Sequence, residues 1–435
     1  MLKKILCLAI CAALVLAVAS CSGQDDPPEP PADNAPAEVE PVWLDLDLAY
    51  IKEFSGGLAA VCQEDKWGYI DKTGKIIIPI TLDYAEPFKD GVAVVAMNFP
   101  TEDGPQTSFG LTNKQGDPLA LMEYQFIYGF SEGLAIAGQE GKYGFVDKSG
   151  QLVIPCQFNG AEDFHDGLAV VAKEDEEKFL YYGYINKAGK NVVPFIYDYA
   201  SSFAEGLALV CQNDKWGFID TAGKMAIPLV YIGAGSFSEG LAAASIEGSS
   251  GIKAGYIDKN GQTVIPFEYD VTDNFSNGVA RVKKTGEADF CYIDKSGNVM
   301  VRCEDYDSIL AFSEGLAPVL KGGKWGFIDT NGALAIPCAY EWLDERGFKD
   351  GLAMVKKDDK WGYIDKTGRV AVPFEYEALY EFSGGYAPGI RNGKFGVTDI
   401  AGNIIIPFEH EFIGYIGEGL AFVQDGGKWG ILQLR

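Results

Sequence analysis

Residues 66–79 read KWGYIDKTGKIIIP, and three features of that stretch decide how the chain folds. Trp67 and Tyr69 flank Gly68, so in an extended strand both rings point to one face and the glycine to the other. A glycine between two aromatics marks a place where a backbone or ring comes close. Asp71-Lys72-Thr73-Gly74 is a turn signal: the Asp side chain can accept a backbone N–H, and the glycine can take the positive φ that closes the turn. The following run, 75–80, is rich in β-branched residues and carries Pro79. Proline cannot donate to a ladder, which places this strand at an edge or a terminus.

The pattern recurs along the rest of the chain. The aromatic-glycine position is filled by Gly68, Gly110, Gly144, Gly183, Gly217, Gly255, Gly326, Gly362, Gly396 and Gly430, with Cys291 in the seventh unit. Every full unit carries [DN]-x-x-G, and a proline follows that turn in every full unit except the seventh, which has Arg302. Ahead of each copy stands F-x-x-G-[LVY]-A, from Phe54 to Phe382, with Ile416 in the eleventh. Spacings of 34 to 42 residues make this one repeat array and not a set of unrelated domains.

These residues resemble those of bacterial WG-repeat proteins, whose unit reads K-W-G-[YF]-I-D-x-x-G-x-x-[VI]-I-P. The resemblance covers about residues 42–435. It implies an all-β repeat protein and brings no established reaction and no catalytic residues. Asp71-Lys72-Thr73-Gly74, which returns at Asp365-Lys366-Thr367-Gly368, is close to the D-K-T-G-T stretch in which P-type ion pumps are phosphorylated. Asn113 and Asn186 fill the same phase, however, and asparagine cannot be phosphorylated as an aspartate is. Asp71, Gly74, Asp365 and Gly368 are therefore read as structural turn residues, and no catalytic residue is assigned.

The expected fold is all-β: a tandem array of about eleven three-stranded antiparallel units of about 35 residues, propeller-like or open superhelical. In the first unit the strands are expected at 58–62, 67–71 and 75–80. Units should stack through side chains and not form one continuous ribbon. Residues 42–54 look like the tail of a unit, and the chain stops at KWGILQLR after a second strand. The two partial units complement each other, as when a terminal strand completes the last blade of a propeller.

Three segments follow: a signal peptide at 1–20, a tether at 21–41 and the array at 42–435. Lys3 and Lys4 precede an apolar run that ends in Val18-Ala19-Ser20-Cys21. This resembles the lipobox of bacterial lipoproteins, which implies lipid on Cys21, anchorage to the cell membrane and exposure outside the cytoplasm. Two or more acyl chains would make that anchor stable. The stretch SGQDDPPEPPADNAPAEVEP that follows holds too little apolar surface to fold. Acids outnumber bases by 62 to 36, a net charge of -26, which repels nucleic acid.

Candidate chemistry is sparse. His410 replaces a core tyrosine, and His165 lies in a turn, so no metal site, cofactor or triad is expected. Cys62, Cys156, Cys211, Cys291, Cys303 and Cys338 form no C-x-x-C; they are read as small buried hydrophobes, with a Cys303–Cys338 bridge as the sharper alternative. From the F-x-x-G glycine to the aromatic-glycine position, the gap is 11 residues in most units. It is 19, 16, 15 and 13 in units two, four, six and seven. Insertions at one phase project from one side of an array, often its binding side. Phe99, Glu102, Asp103, Phe179, Tyr181 and Lys253 are the candidate binding residues there. The expected function is a non-enzymatic envelope lipoprotein whose array binds protein partners. Carbohydrate or cell-wall glycan is the alternative, because exposed aromatic faces stack on sugars.

Overall fold

A computed structural model describes residues 40–434 apart from 103, 250, 285, 288 and 289. The signal peptide, Cys21, nearly all of the tether and Asp103 lie outside the described residues.

The array consists of small antiparallel sheets, and its unit has four strands where three were expected. In unit two these are a two-residue connector strand (Tyr84–Ala85), a leading strand (Val92–Thr101), an aromatic-glycine strand (Gly104–Asn113) and a proline strand (Pro118–Tyr124). The additional strand is the connector, paired as Tyr84↔Ala96 and Ala85↔Val95. Two residues are too few to show an alternating pattern. Backbone bonds hold it, from Asp83 N to Ala96 O and from Glu86 N to Val94 O, each 2.9 Å. In the first unit the expected strands appear as Leu58–Gln63, Lys66–Asp71 and Ile76–Leu82.

The proline strand is the outer strand of most sheets, but Pro79 lies inside it and not at its end. Trp67 pairs with Leu82 and Tyr69 with Ile78, so residues 79–81 form a bulge opposite Gly68. A Cβ placed on Gly68 would lie 2.6 Å from the Ile78 carbonyl oxygen, which explains the glycine. The bulge also accommodates a proline that has no N–H to give. In unit seven Cys291 pairs with Arg302 and Tyr292 with Val301, with no bulge between them; the one shift in register lies further on, between Tyr292 and Ile293. Glycine and bulge are therefore lost together, whereas in unit two Gly110 and its bulge persist with Leu121 at the proline phase.

Sheets stack through their side chains, as expected. Along the leading strand Ala59 and Val61 face one neighbour while Leu58 and Ala60 face the other. Between units one and two, Tyr69, Ile78 and Leu82 meet Ala85, Phe88, Ala93 and Val95. The phenylalanine of F-x-x-G stacks on the preceding unit's aromatic: Tyr69–Phe88, Phe145–Phe164 and Phe218–Phe237 all have centroids 4.8 Å apart. Units six and seven depart from the stacking rule. One ten-residue strand, Thr263–Thr272, serves both, giving a seven-stranded sheet.

The two ends of the array meet. Val42–Trp43 pairs antiparallel with Lys428–Gln433 and completes the last sheet, in keeping with the complementary partial units. Leu44 packs on Gly74 as Ile78 packs on Gly116. Phe54 and Phe422 stack at 5.0 Å within a core shared by the first and last units.

Strand direction gives the array two edges. The hairpins between leading and aromatic-glycine strands lie on one, with the corners between units. The F-x-x-G and D-x-x-G turns lie on the other.

Candidate functional site

The turn edge is filled by structural bonds. Asp71 Oδ1 accepts from Thr73 N at 2.8 Å, Thr73 Oγ1 at 2.6 Å and Lys75 N at 3.1 Å. Gly74 has φ of 81°. Asp365 repeats this with Thr367 and Arg369, and Gly368 has φ of 79°. Asn113 and Asn186 accept the same pair of backbone bonds. The Thr73 hydroxyl and amide bonds hold the Asp71 carboxyl below its ordinary range.

A second pattern on this edge links units and escaped sequence reading. The residue before the F-x-x-G glycine also has positive φ, as in Glu132 (49°) followed by Gly133 (90°). Such paired values define the two-residue turns that suit twisted hairpins. The glutamate reaches the next unit. Glu132 accepts from Gly167 N at 3.2 Å and pairs with Lys187 at 2.9 Å. Glu205 does the same with Gly240 and Lys259, and Glu314 with Gly351 and Lys366. Glu418 continues the series into the first unit, accepting from Gly56 N at 2.6 Å and Gly57 N at 2.9 Å, with Lys72 at 3.6 Å. The lysine of D-K-x-G is thus the cation of an inter-unit clasp. Its signal was present as a glutamate in one unit matched by a lysine in the next. The Lys187 and Lys366 bonds draw the Glu132 and Glu314 carboxyls below their ordinary range.

The hairpin edge has its own repeated device, also missed. The polar residue just ahead of the connector strand caps the next hairpin. Asp83 accepts from Asn98 N at 2.8 Å, Asp198 from Asn213 N at 2.6 Å, Asp307 from Gly322 N at 2.7 Å and Glu411 from Gly426 N at 2.9 Å. Gln125 caps Gly141 with its amide oxygen.

Beyond these caps the lengthened hairpins stand out from the repeat. In unit two Phe99, paired across to Gln106, is 41% exposed, and Glu102 is exposed near the tip. In unit four, Leu168–Glu174 and Leu180–Asn186 carry Phe179, 59% exposed, and Leu180; Tyr181 is half-buried opposite Lys173. In unit six, Leu241–Gly248 and Gly251–Asp258 expose Ile252, while Lys253 is committed to Asp270 at 2.6 Å. The candidate residues therefore share an edge but stand on alternate units. Among the described residues neither Phe99 nor Phe179 is in ring contact with another aromatic.

Other rings surround these hairpins. Tyr84 meets Phe109, Tyr199 meets Trp216, and Phe412 bridges Phe395 and Trp429. Tyr84, Tyr199, Trp342 and Phe412 remain exposed. Trp67, Trp216, Trp325 and Trp361 are half-buried and Trp429 is buried.

His410 is buried with Nδ1 2.6 Å from Asp425, in the place of a core tyrosine, and His165 is exposed. None of the six described cysteines is held in a disulfide, so the Cys303–Cys338 bridge is not formed; Cys62, Cys211 and Cys291 are buried as expected, whereas Cys156, Cys303 and Cys338 are only half-buried, the last two against one core cluster. No helix among the described residues is long and apolar enough to cross a membrane.

Eleven units of stacked antiparallel strands, with their ends in contact, define a tandem β-repeat protein. The chain belongs to the WG containing repeat family, which matches at residues 46–67, 67–98, 109–143, 143–176, 182–216, 216–248, 255–287, 292–325, 325–361, 361–395 and 395–429. Among solved structures it is similar to a eukaryotic initiation factor, with 11% identity, 80% of this chain and 92% of that one covered, and a TM-score of 0.41. It is also similar to the tricorn protease, with 12% identity, 88% and 46% covered, and a TM-score of 0.21. No curated protein matches.

Proposed function

We propose that this is a non-enzymatic binding scaffold, lipid-anchored through Cys21 on the outer side of the bacterial cell membrane. Its hairpin edge recognises a protein partner. We read the array as a closed, propeller-like ring, supported by the Val42–Trp43 pairing and by the Glu418 clasp across the ends. The observation that carries the binding reading is the division of labour between edges. The turn edge spends its polar groups on the clasps and turns. The lengthened hairpins carry exposed Phe99, Phe179, Leu180 and Ile252. Exposed apolar anchors among acids, here Glu102 and Glu174 to Glu177, suit a partner with an apolar patch and a basic rim. Val42 enters the array on the turn edge.

Cutting the hairpins of units two, four, six and seven to the eleven-residue spacing tests this. The melting curve should hardly change, and capture of envelope proteins should fall sharply. Full capture by the trimmed protein would move the site elsewhere. For the anchor, Cys21→Ala should abolish partitioning into detergent, and unchanged partitioning would refute it.

A second reading, binding of cell-wall glycan, is favoured by the exposed rings of Tyr84, Tyr199, Trp342 and Phe412. Quenching of tryptophan fluorescence by soluble wall fragments, retained after trimming, would support it over a protein partner.

A further inference from the structure

Unit seven departs from the plan of the other units, and a cavity of about 360 Å³ opens against it. Elsewhere the proline strand bulges opposite the glycine. Here it is cut to four residues, Val299–Arg302, and the chain turns at once through Cys303–Asp305. The space between this strand and unit eight is left open there. The cavity is lined by the strand itself, by Asp305 and Tyr306, and by Lys321 and Gly332 of unit eight.

Two cations line it. Arg302 stands at the proline phase. Lys321 ends the leading strand of unit eight, its ammonium 5.2 Å from the centroid of the Tyr306 ring. The other described arginines, Arg281, Arg346, Arg369 and Arg391, each hold a carboxylate. Arg302 and Lys321 have no carboxylate partner within salt-bridge distance among the described residues. Among the described arginines Arg302 alone lacks a carboxylate, and it shares its cavity wall with a second cation, which leaves a place for a charge supplied from outside.

The geometry points to a binding site for a small oxyanion ligand. Its carboxylate or phosphate is held by Arg302 and Lys321, the planar guanidinium fitting either group in a forked arrangement. Asp305, on the same wall, accepts a hydrogen bond from a hydroxyl or amine of the ligand. The site lies against units seven and eight, with Lys321 beside the short hairpin of unit eight, and it uses none of the lengthened hairpins.

Calorimetric titration of the full chain in detergent with sodium lactate and with inorganic phosphate, each at ionic strength matched by sodium chloride, tests this. The expected result is one saturable site per chain for at least one probe, which then identifies the oxyanion as carboxylate or phosphate. Affinity should fall at least tenfold in Arg302→Gln and in Lys321→Gln. It should persist in Arg302→Lys, which keeps the charge, and in Arg281→Gln, which lies outside the cavity. Two results overturn the proposal: no saturable binding of either probe, or undiminished binding by the Arg302→Gln/Lys321→Gln double variant.

Discussion

Restoring the repeat's own residue at position 291 should damage the protein. Ten units place glycine there and unit seven places cysteine, so Cys291→Gly looks like a repair. The glycine is needed only where the neighbouring strand bulges into it. On Gly217, a Cβ would lie 2.6 Å from Ile227 O and 2.8 Å from Pro228 C, both backbone atoms that cannot swing aside. At Cys291 the pairing is regular, and the side chain is 5% exposed in a core with Tyr269, Val282 and Ile293. Removing the CH2–SH group loses on the order of 1–2 kcal/mol of burial. The freer glycine backbone costs about 0.5–1 kcal/mol more in a strand. Cys291→Gly should therefore destabilise by roughly 2 kcal/mol. Gly217→Ala should cost about 1–3 kcal/mol by overpacking. Gly129→Ala, where no atom lies within 4 Å of the new Cβ, serves as a near-neutral control. Hydrogen exchange read peptide by peptide is the appropriate assay, because repeat arrays open locally. Protection should drop around units six to eight for Cys291→Gly and around unit five for Gly217→Ala. A neutral or stabilising Cys291→Gly would refute the coupling of glycine and bulge.

Other outcomes follow from the clasps and turns. Glu418→Ala removes two backbone bonds between the last and first units and should cost on the order of 1 kcal/mol; faster exchange confined to units one and eleven would show it, and uniform exchange would contradict it. Asp71→Asn should leave stability nearly unchanged in a denaturant titration, since asparagine fills this turn at 113 and 186, whereas Gly74→Val should be clearly destabilising because a β-branched residue resists φ of 81°. The Glu132 and Glu314 carboxyls are held below their ordinary range, so their contribution is complete above an unfolded value of about 4.3 and is lost as pH falls through the lower folded value. Exchange at the turns of units three, four, eight and nine should accelerate over that window and not between pH 6 and 8.

Much of the fold was legible because the repeat turns weak local signals into strong ones. One D-x-x-G is ambiguous; ten in register, two with asparagine, fix it as a turn. The connector strand was not legible, since Tyr84–Ala85 is defined by backbone bonds to the leading strand and not by side-chain pattern. The clasps were legible in principle, because a glutamate in one unit goes with a lysine about 54 residues on, as Glu205 with Lys259. Reading them required knowing that successive turns lie on the same edge. The lengthened hairpins were placed on the correct phase by their length, but their separation on alternate units and the commitment of Lys253 to Asp270 are three-dimensional facts.

A photo-crosslinking amino acid placed in the intact cell envelope addresses the central claim most directly. At Phe99, Phe179 or Ile252 it stands on the hairpin edge; at Thr221 or Thr330 it stands in turns of the opposite edge. The account predicts a discrete crosslinked protein from the first three positions and none from the last two. The same adduct from the turn-edge positions, or from all five equally, would contradict it.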